Sequence, residues 1–442
     1  MSQGLTSREE FEFLADLVMR HRSAEHAAMW LQDIRSGTTR VADNRVIQNL
    51  DTRKVMLRVQ VASGRRQGSA TTTSLTAGAV QDAFRRAERI AQVVPEDPEW
   101  LPPVGPETFI HAPTWVQATS SAGPTGRLDA MERAILLCRQ AGVSGAGIVA
   151  TSVATVGVAT SAGLRIYEPR TDARFSLTAT ANNASGWAAN AHRAIDRLGI
   201  DTRTATAIEK CRMAHAPREL QPGRYTVILE PAAVAGLLGG LIWQLDGKAY
   251  DKGTSALSGK VGSPVLDARF TLRNSPEHQD LLASSFTADG LANRECTWID
   301  RGRLRRLAYD RFTAQTHGVE PSPFPDALCL SAESLDATAQ TLDALIAGTE
   351  RGILVTNLWY IRLVNPTDLT LTGMTRDGTF LIEQGKIQGA VKNFRFHDSP
   401  LRVFTAVDGY TMPHEAVTAE SQKCLVPAMR VRDFNFSSVT KF

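Results

Sequence analysis

Apolar residues recur at helical spacing near the start of the chain and then at strand spacing. Thr6 and Glu9 form a capping-box pattern ahead of apolar residues at helical intervals, which predicts a helix that ends near His21. Alternating apolar and polar positions are typical of strands with one buried face. Three such runs follow the helix, at 27–34, 38–47 and 54–62.

The next region continues this mixture of helices and strands. Apolar spacing predicts a helix over 80–94, which ends in a proline-rich stretch because proline cannot continue a helix. A second amphipathic helix is predicted over 125–141, and a further helix from Trp187 to about Leu198. The strand-like runs between these two helices lie at 146–158, 164–167 and 173–181.

From Arg224 onward, short β-rich runs alternate with turns rich in glycine, aspartate and asparagine. Asp377 and Gly378 predict a tight hairpin inside the turn segment 372–378, since this dipeptide suits two-residue loops. The runs lie at 265–272, 328–330, 353–364, 370–374, 380–382, 389–396 and 429–436.

Together these elements predict an α+β protein. Its N-terminal α/β domain would hold a mixed or antiparallel sheet with helices, and its C-terminal domain would be a β-rich sandwich or barrel. We expect an N-terminal unit over 1–120, a continuation of that region over 121–220, and a C-terminal domain over 221–442.

Composition excludes several classes of protein. The 442 residues carry 49 Lys and Arg against 46 Asp and Glu, so the net charge of +3 gives no reason to expect nucleic acid binding. No run of about 20 apolar residues would span a membrane, and no secretory signal is visible. The five scattered cysteines fit reduced thiols. These features predict a cytoplasmic protein.

One pair of residues begins like a zinc-protease motif. His414 and Glu415 are followed by Thr418 and Ala419, where a second histidine would be needed, so the pair is not a zinc site by itself. A cluster in this loop could still gather around a metal, and the alternative is an ordinary solvated loop. The members of the loop cluster are His414, Glu415, Glu420 and Cys424.

Several segments, taken in order, resemble the TldD/PmbA family over nearly the whole chain. Each segment alone is weak, whereas their order and spacing are fairly specific. The segments are 39–44, 64–68, 223–231, 352–356, 371–373, 380–387 and 427–431.

The resemblance implies that this chain lacks the zinc ligands of the family's active subunit. In that family the active subunit, TldD, binds zinc through HExxxH on the helix after the central strand, and through a late cysteine. The similar helix here, within 231–245, has Gly239 and Gly240 at the His-Glu places and Gln244 at the second histidine place. Glycine offers neither a ligand nor a general base. From the residues alone, the helix glycines favour close packing. Cys424 lies roughly where the resemblance places the loop with the late cysteine ligand.

The resemblance therefore implies a zinc-less, TldE-like subunit without a cofactor of its own. It would pair with a TldD-like zinc subunit as a heterodimer, in proteolysis of unfolded peptides or in peptide maturation. One alternative is a homodimeric peptide-binding or maturation protein without protease activity. Another is an enzyme whose site lies in the loop between Glu415 and Cys424.

A peptide groove is predicted in the C-terminal domain. An edge strand around Tyr360 and Arg362 would accept an extended peptide by β-augmentation, with these two side chains on one face and Trp359 and Ile361 on the other. The alternative is that Tyr360 and Arg362 only pack against a neighbouring strand. The turn segment would complete the groove through Thr372, Gly373 and Arg376.

Overall fold

A computed structural model describes residues 4–20, 24–322, 324–332, 339–418 and 422–440. Its first unit is a six-stranded antiparallel sheet, in the order β3-β2-β1-β4-β5-β6, with four helices on one face. The strands are β1 (His26–Ala42), β2 (Arg45–Ser63), β3 (Arg66–Thr72), β4 (Ser144–Thr160), β5 (Arg165–Ala181) and β6 (Ala184–His192). The helices are α1 (Arg8–Met19), α2 (Ala77–Val93), α3 (Gln117–Gln140) and α4 (Ile200–Met213).

The two faces of this sheet have different neighbours. On one face, Val59, Met29 and Ala159 form a fully buried row that packs against α1 and α2. Farther along the same face, Phe175 and its neighbours pack against α3 and α4. On the opposite face, a row across four strands consists of Arg58, Trp30, Val158 and Ile166. This second face is turned toward the C-terminal half of the chain.

The long strands differ from the shorter runs expected from sequence. β1 pairs with β2 from His26 to Ala42, with a register shift between Arg40 and Val41, and Asp43 and Asn44, both at positive φ, make the connecting turn. The predicted run 38–47 therefore spans a hairpin turn, because two residues that tolerate left-handed backbone suit such a connection.

The expected helix between Trp187 and Leu198 is wrong. Residues 184–192 form β6, whose antiparallel ladder with β5 is unbroken from Ala184 to His192. The small residues of this segment show no clear apolar period, and pairing with β5 determines that the segment is a strand. A short 3₁₀ turn, Ile195–Leu198, then leads through Gly199 into α4.

The second unit contains a mixed sheet and a closed barrel. The sheet has the order β10-β9-β8-β11-β18-β17, and the barrel follows β12-β7-β19-β15-β13 and closes through β12–β13 pairing. This confirms the expected α+β class with a β-rich, barrel-like C-terminal domain. The strands are β7 (Gly223–Leu229), β8 (Phe270–Asn274), β9 (Cys296–Asp300), β10 (Arg303–Leu304), β11 (Leu328–Ala332), β12 (Arg351–Asn365), β13 (Thr370–Glu383), β14 (Lys386–Ala390), β15 (Phe394–Asp398), β16 (Val407–Tyr410), β17 (His414–Ala416), β18 (Cys424–Val426) and β19 (Met429–Val439).

Short helices connect these strands, and one longer helix is central. The helices are α5 (Pro231–Ile242), α6 (Gly247–Asp251), α7 (Arg311–His317), α8 (Leu342–Ala347) and α9 (Pro400–Val403). Within the described part of the chain, no helix combines the length and apolar character needed to cross a bilayer.

The hairpin expected at Asp377 and Gly378 is also wrong. Both residues lie inside the continuous strand β13, at φ values of 54° and 137°. The register with β12 shifts between Val355 and Asn357, opposite this point, which marks a β-bulge. The bulge directs Asp377 toward the first unit, where its carboxylate accepts a hydrogen bond from Ser185 Oγ at 2.7 Å.

A finger of the second unit, residues 284–293, covers the far face of the first sheet. Phe286 packs against Val158 and Ile166. The indole Nε1 of Trp30 donates to the carbonyl of Ala288 at 2.9 Å. Through these contacts, residues that come more than 100 positions later in the chain cover part of the first unit's apolar core.

The start of α1 is anchored by a buried carboxylate. The capping box consists of Ser7 and Glu10, so the pattern expected at Thr6 and Glu9 is wrong by one residue. Thr6 instead donates its N–H and its hydroxyl to Asp33, each at 2.8 Å. Arg53 donates to the same carboxylate at 2.7 and 2.9 Å. Burial raises the pKa of Asp33, but these hydrogen bonds outweigh it and leave the pKa below its ordinary value.

We predict that Asp33→Ala lowers the free energy of unfolding by about 2–3 kcal/mol at pH 7, because a fully buried acceptor of four hydrogen bonds is lost. A depressed folded pKa stabilises the protein above the unfolded value near 3.8 and loses that effect as pH falls through the folded value. The difference between wild type and variant in urea unfolding should therefore shrink at pH 3.

The control is Asp82→Ala, which removes an exposed ion pair with Arg85 on α2. This variant should change the unfolding free energy far less than Asp33→Ala does, because solvent screens an exposed ion pair. Equal effects of the two substitutions would contradict the assignment of Asp33 as an anchor.

Candidate functional site

Helix α5 follows the central strand β7 and lies in the middle of the second unit. Pro231 occupies its first turn, where the missing N–H costs nothing, and Leu237, Leu238 and Leu241 are buried. A Cβ added to Gly236 would lie 3.0 Å from Ile361 Cδ1, and one added to Gly240 would lie 2.8 Å from Leu371 Cδ1. The structure confirms that these glycines allow close packing.

The positions that resemble zinc ligands carry no ligand group. Gly239 and Gly240 have no side-chain donor, and the space beside Gly240 is filled by Leu371. Gln244 lies beyond α5 in the 3₁₀ turn Trp243–Leu245, and its Oε1 accepts the N–H of Ala256 at 2.9 Å. Because zinc needs several nitrogen, sulfur or carboxylate ligands, these residues do not fit a zinc ion.

The β12–β13 pair carries two stacked cation–aromatic contacts. The guanidinium carbon of Arg362 lies 4.2 Å from the ring centre of Tyr360, and that of Arg376 lies 4.2 Å from the ring centre of Trp359. Tyr360 has φ of 56°, and the register shifts between Trp359 and Arg362. The expected strict alternation of faces is therefore interrupted, because a left-handed residue turns the strand.

The inner and outer parts of β12 have different neighbours among the described strands. β12 pairs with β7 through Ile353–Val355 inside the closed barrel, while from Asn357 on its described ladder is with β13 alone. Thr372 and Gly373 lie in β13, not in a turn, and the Thr372 hydroxyl donates to the carbonyl of Phe396 at 2.9 Å. The structure places Tyr360 and Arg362 in contact, with Trp359 and Arg376 beside them.

The described members of the expected loop cluster lie on strands. His414 and Glu415 lie on β17, which pairs with β18, the strand that carries Cys424. Glu420 lies outside the described residues. Burial raises the pKa of the Cys424 thiol to about 12, so a free thiolate is disfavoured there.

Glu415 instead joins two residues that sequence reasoning missed. Ligand atoms of His192, Asp280 and Glu415 lie within 4.8 Å of one another. The buried ammonium of Lys423 is 2.7 Å from Glu415 Oε1, and Arg197 is 3.1 Å from Asp280. The members come from β6, a loop and the β17–β18 hairpin, and no local sequence signal links them.

This cluster is an ion network rather than a metal centre. His192 Nδ1 accepts the N–H of Ala194 at 2.9 Å, so the neutral ring carries its proton on Nε2, the atom nearest Asp280. A protonated nitrogen cannot ligate a metal, and Lys423 and Arg197 would repel a cation. Burial lowers the pKa of His192, and these two positive charges lower it further, which keeps the ring neutral.

A small polar cleft separates the two units beside this network. It has a volume of about 290 Å³ and contains the start of α5. Lys210 of α4 bridges it with an ion pair to Glu230 at 2.5 Å, and Thr356 donates to the same carboxylate at 3.3 Å. The cleft offers paired charges and a half-buried indole from Trp187, which suits contact with a polar chain.

Comparison with solved structures gives the same fold at low identity. TldE from Thermococcus kodakarensis has a TM-score of 0.86 at 18% identity, covering 97% of this chain and 99% of that one. A candidate modulator of a DNA gyrase from Thermotoga maritima MSB8 also scores 0.86 at 18% identity, covering 97% and 100%. A candidate modulator of DNA gyrase from Bacteroides thetaiotaomicron VPI-5482 scores 0.82 at 18% identity, covering 98% and 99%.

Sequence comparison defines the class more closely. Residues 31–91 match the PmbA/TldA metallopeptidase domain 1, residues 118–211 the central domain, and residues 222–438 the C-terminal domain. No curated protein sequence matches this chain at a significant level. The class is thus that of metallopeptidase-related proteins with a two-unit α+β fold. The chain belongs to the PmbA/TldD family, as its sequence motifs predicted.

We predict that Lys423→Met lowers the free energy of unfolding by about 3 kcal/mol, because Glu415 and Asp280 lose a fully buried counter-charge. Chemical unfolding of both proteins measures the change. Lys386→Met, on the exposed side of β14, is the matched control and should be nearly neutral. Equal stability of the two variants would show that the network does not hold the units together.

Proposed function

We propose that this chain is a zinc-less, TldE-like subunit of a PmbA/TldD-type metallopeptidase. It contributes peptide-binding surface in the cytoplasm, and a TldD-like partner supplies the zinc ion and the cleavage chemistry. The observation that carries this proposal is the α5 face, where Gly239, Gly240 and Gln244 offer no metal ligand and no general base.

Two further observations support the assignment. The chain matches all three domains of the family in order, although its α5 lacks the ligand set of an active subunit. One structural relative, from Thermococcus kodakarensis, carries the name TldE. A family member that keeps the fold without the metal ligands suits a partner role, because binding surfaces persist when chemistry is lost.

The peptide contact is proposed along the outer half of β12. An extended peptide needs backbone donors and acceptors, and the described ladder of this half of β12 lies with β13 alone, which leaves its other edge to one side of the barrel. Beside this edge lie the exposed rings of Trp359 and Tyr360 with Arg362 and Arg376 stacked on them. Rings can cover apolar side chains of a peptide, and guanidinium groups can pair with its carboxylates.

We predict that the purified chain holds no stoichiometric zinc and cleaves no unfolded peptide alone. Cleavage should begin when a TldD-like subunit with an intact HExxxH helix is added. Metal analysis and a fluorogenic peptide assay measure these two properties. A partner whose HExxxH glutamate is replaced by glutamine is the control and should leave the mixture inactive. Tightly held zinc with cleavage by this chain alone would contradict the proposal.

We also predict that Tyr360→Ala combined with Arg362→Ala lowers peptide cleavage by the reconstituted complex at least several-fold. The variant removes one cation–aromatic stack beside the outer half of β12, while the barrel pairing through Ile353–Val355 remains. Both residues are largely exposed, so folding and subunit assembly should persist.

The matched control is Arg351→Ala, at the other end of the same strand, where the side chain is 65% exposed. It should leave cleavage unchanged. Size-exclusion chromatography checks assembly for every variant. Unchanged cleavage in a folded, assembled double variant would place the peptide contact elsewhere.

A further inference from the structure

The far face of the first sheet holds a half-buried arginine, Arg58, that forms no ion pair with any described residue. Arg58 on β2 lies directly opposite Trp30 on β1, and its guanidinium carbon is 3.9 Å from the centre of the indole ring. Among the described residues, Arg58 makes no ion pair and no hydrogen bond. Stacking on an aromatic ring holds the group in place but leaves its five N–H donors available.

Two cavities meet at this arginine. One has a volume of about 730 Å³ and the other about 400 Å³, and both are lined by Trp30, Arg58, Asp289 and Asp310. The larger cavity has apolar walls from Met56, Val156, Val158 and Phe286. Its volume lies within the range of ligand sites, which combine apolar walls with a few oriented polar groups.

The acidic groups around the larger cavity are mostly committed to other partners. Asp246 caps α6, Asp310 caps α7 and pairs with Lys248 at 3.0 Å, and Asp326 accepts from Asn293 at 2.8 Å. Two other cations line this cavity: Lys248, which pairs with Asp310, and Arg170, which pairs with Glu168 at 2.5 Å.

Asp289 is the exception among these acids. It lies on the exposed turn of the 284–293 finger, where its charge raises the pKa of Arg58 through space although the two groups form no ion pair. Arg58 therefore remains the cation with unused donors, next to apolar walls. Burial lowers the pKa of Arg58, which reflects the cost of keeping this charge partly out of water.

We propose that Arg58 and Trp30 form a recognition site for the C-terminal carboxylate of a peptide whose last side chain is apolar. The guanidinium would receive the carboxylate in a forked hydrogen-bonded pair, and the apolar side chain would occupy the 730 Å³ cavity. The second cavity continues from Arg58 on the other side, so the rest of an extended chain has a path. That the ligand is a peptide rests on the proposed function; the recognition of a carboxylate does not.

The test uses the isolated wild-type chain without a zinc partner, so it is independent of the cleavage experiments. Calorimetry compares an N-acetylated tetrapeptide of three alanines and a terminal phenylalanine with the same peptide as its C-terminal amide. The acid should bind at least tenfold more tightly than the amide, because only the acid offers a carboxylate to Arg58. N-acetylphenylalanine, which shares the carboxylate but lacks the chain, should bind more weakly than the tetrapeptide.

Two substitutions test whether Arg58 causes the preference for the acid over the amide. Arg58→Met should remove the preference for the acid, and Arg66→Met, on an exposed position of the neighbouring strand β3, should retain it. Equal binding of acid and amide to the wild-type chain would overturn the proposal, and so would the absence of saturable binding by the acid. Tight binding of N-acetylphenylalanine, equal to that of the tetrapeptide, would overturn the peptide as occupant. If the Arg58→Met variant still prefers the acid over the amide, the role assigned to Arg58 is wrong.

Discussion

The close contact of α5 with strands β12 and β13 is the interaction on which the second unit depends. α5 is apolar around its whole circumference, so it is stable only when it is enclosed. Gly236 and Gly240 allow Ile361 and Leu371 to approach its backbone within van der Waals distance. Each buried leucine of the helix contributes about 1.5–3 kcal/mol relative to exposure. The resemblance aligns one of the two glycines, Gly240, with the glutamate of the HExxxH motif, and the space that a side chain would need there is filled by Leu371.

The charged residues at the interface between the two units affect stability differently from the apolar contacts. Lys423 pairs with Glu415, and Arg197 pairs with Asp280. A buried ion pair such as that of Lys423 adds little net stability over apolar contacts, but its remaining member becomes costly when the partner is lost. The network therefore fixes the relative position of β6 and the β17–β18 hairpin more than it strengthens the fold. Burial and the neighbouring cations lower the pKa of His192, which favours the neutral ring within this arrangement.

The elements that sequence predicted well are those with a strong local period. α2 and α3 were visible from apolar spacing, and the fold class followed from the alternation of helices with β-rich runs. β6 was missed because its small residues suit several conformations, and its ladder with β5 is a tertiary contact. Asp377 and Gly378 have the composition of a hairpin, yet barrel closure keeps them in one strand as a bulge. The ion network joins residues separated by more than 200 positions, and spacing rules act only over short distances.

The 284–293 finger has a consequence for the order in which the protein acquires its structure. A ribosome releases the whole first sheet before the finger is made, yet Phe286 and the Ala288 carbonyl complete the far side of that sheet. Until then, Trp30, Val158 and Ile166 lack the part of their cover that the finger supplies. Transiently exposed apolar surface of this kind attracts chaperones and favours aggregation. The nascent N-terminal half is therefore prone to aggregation until the finger has been made. The duration of this period depends on how fast the ribosome translates roughly the next hundred codons.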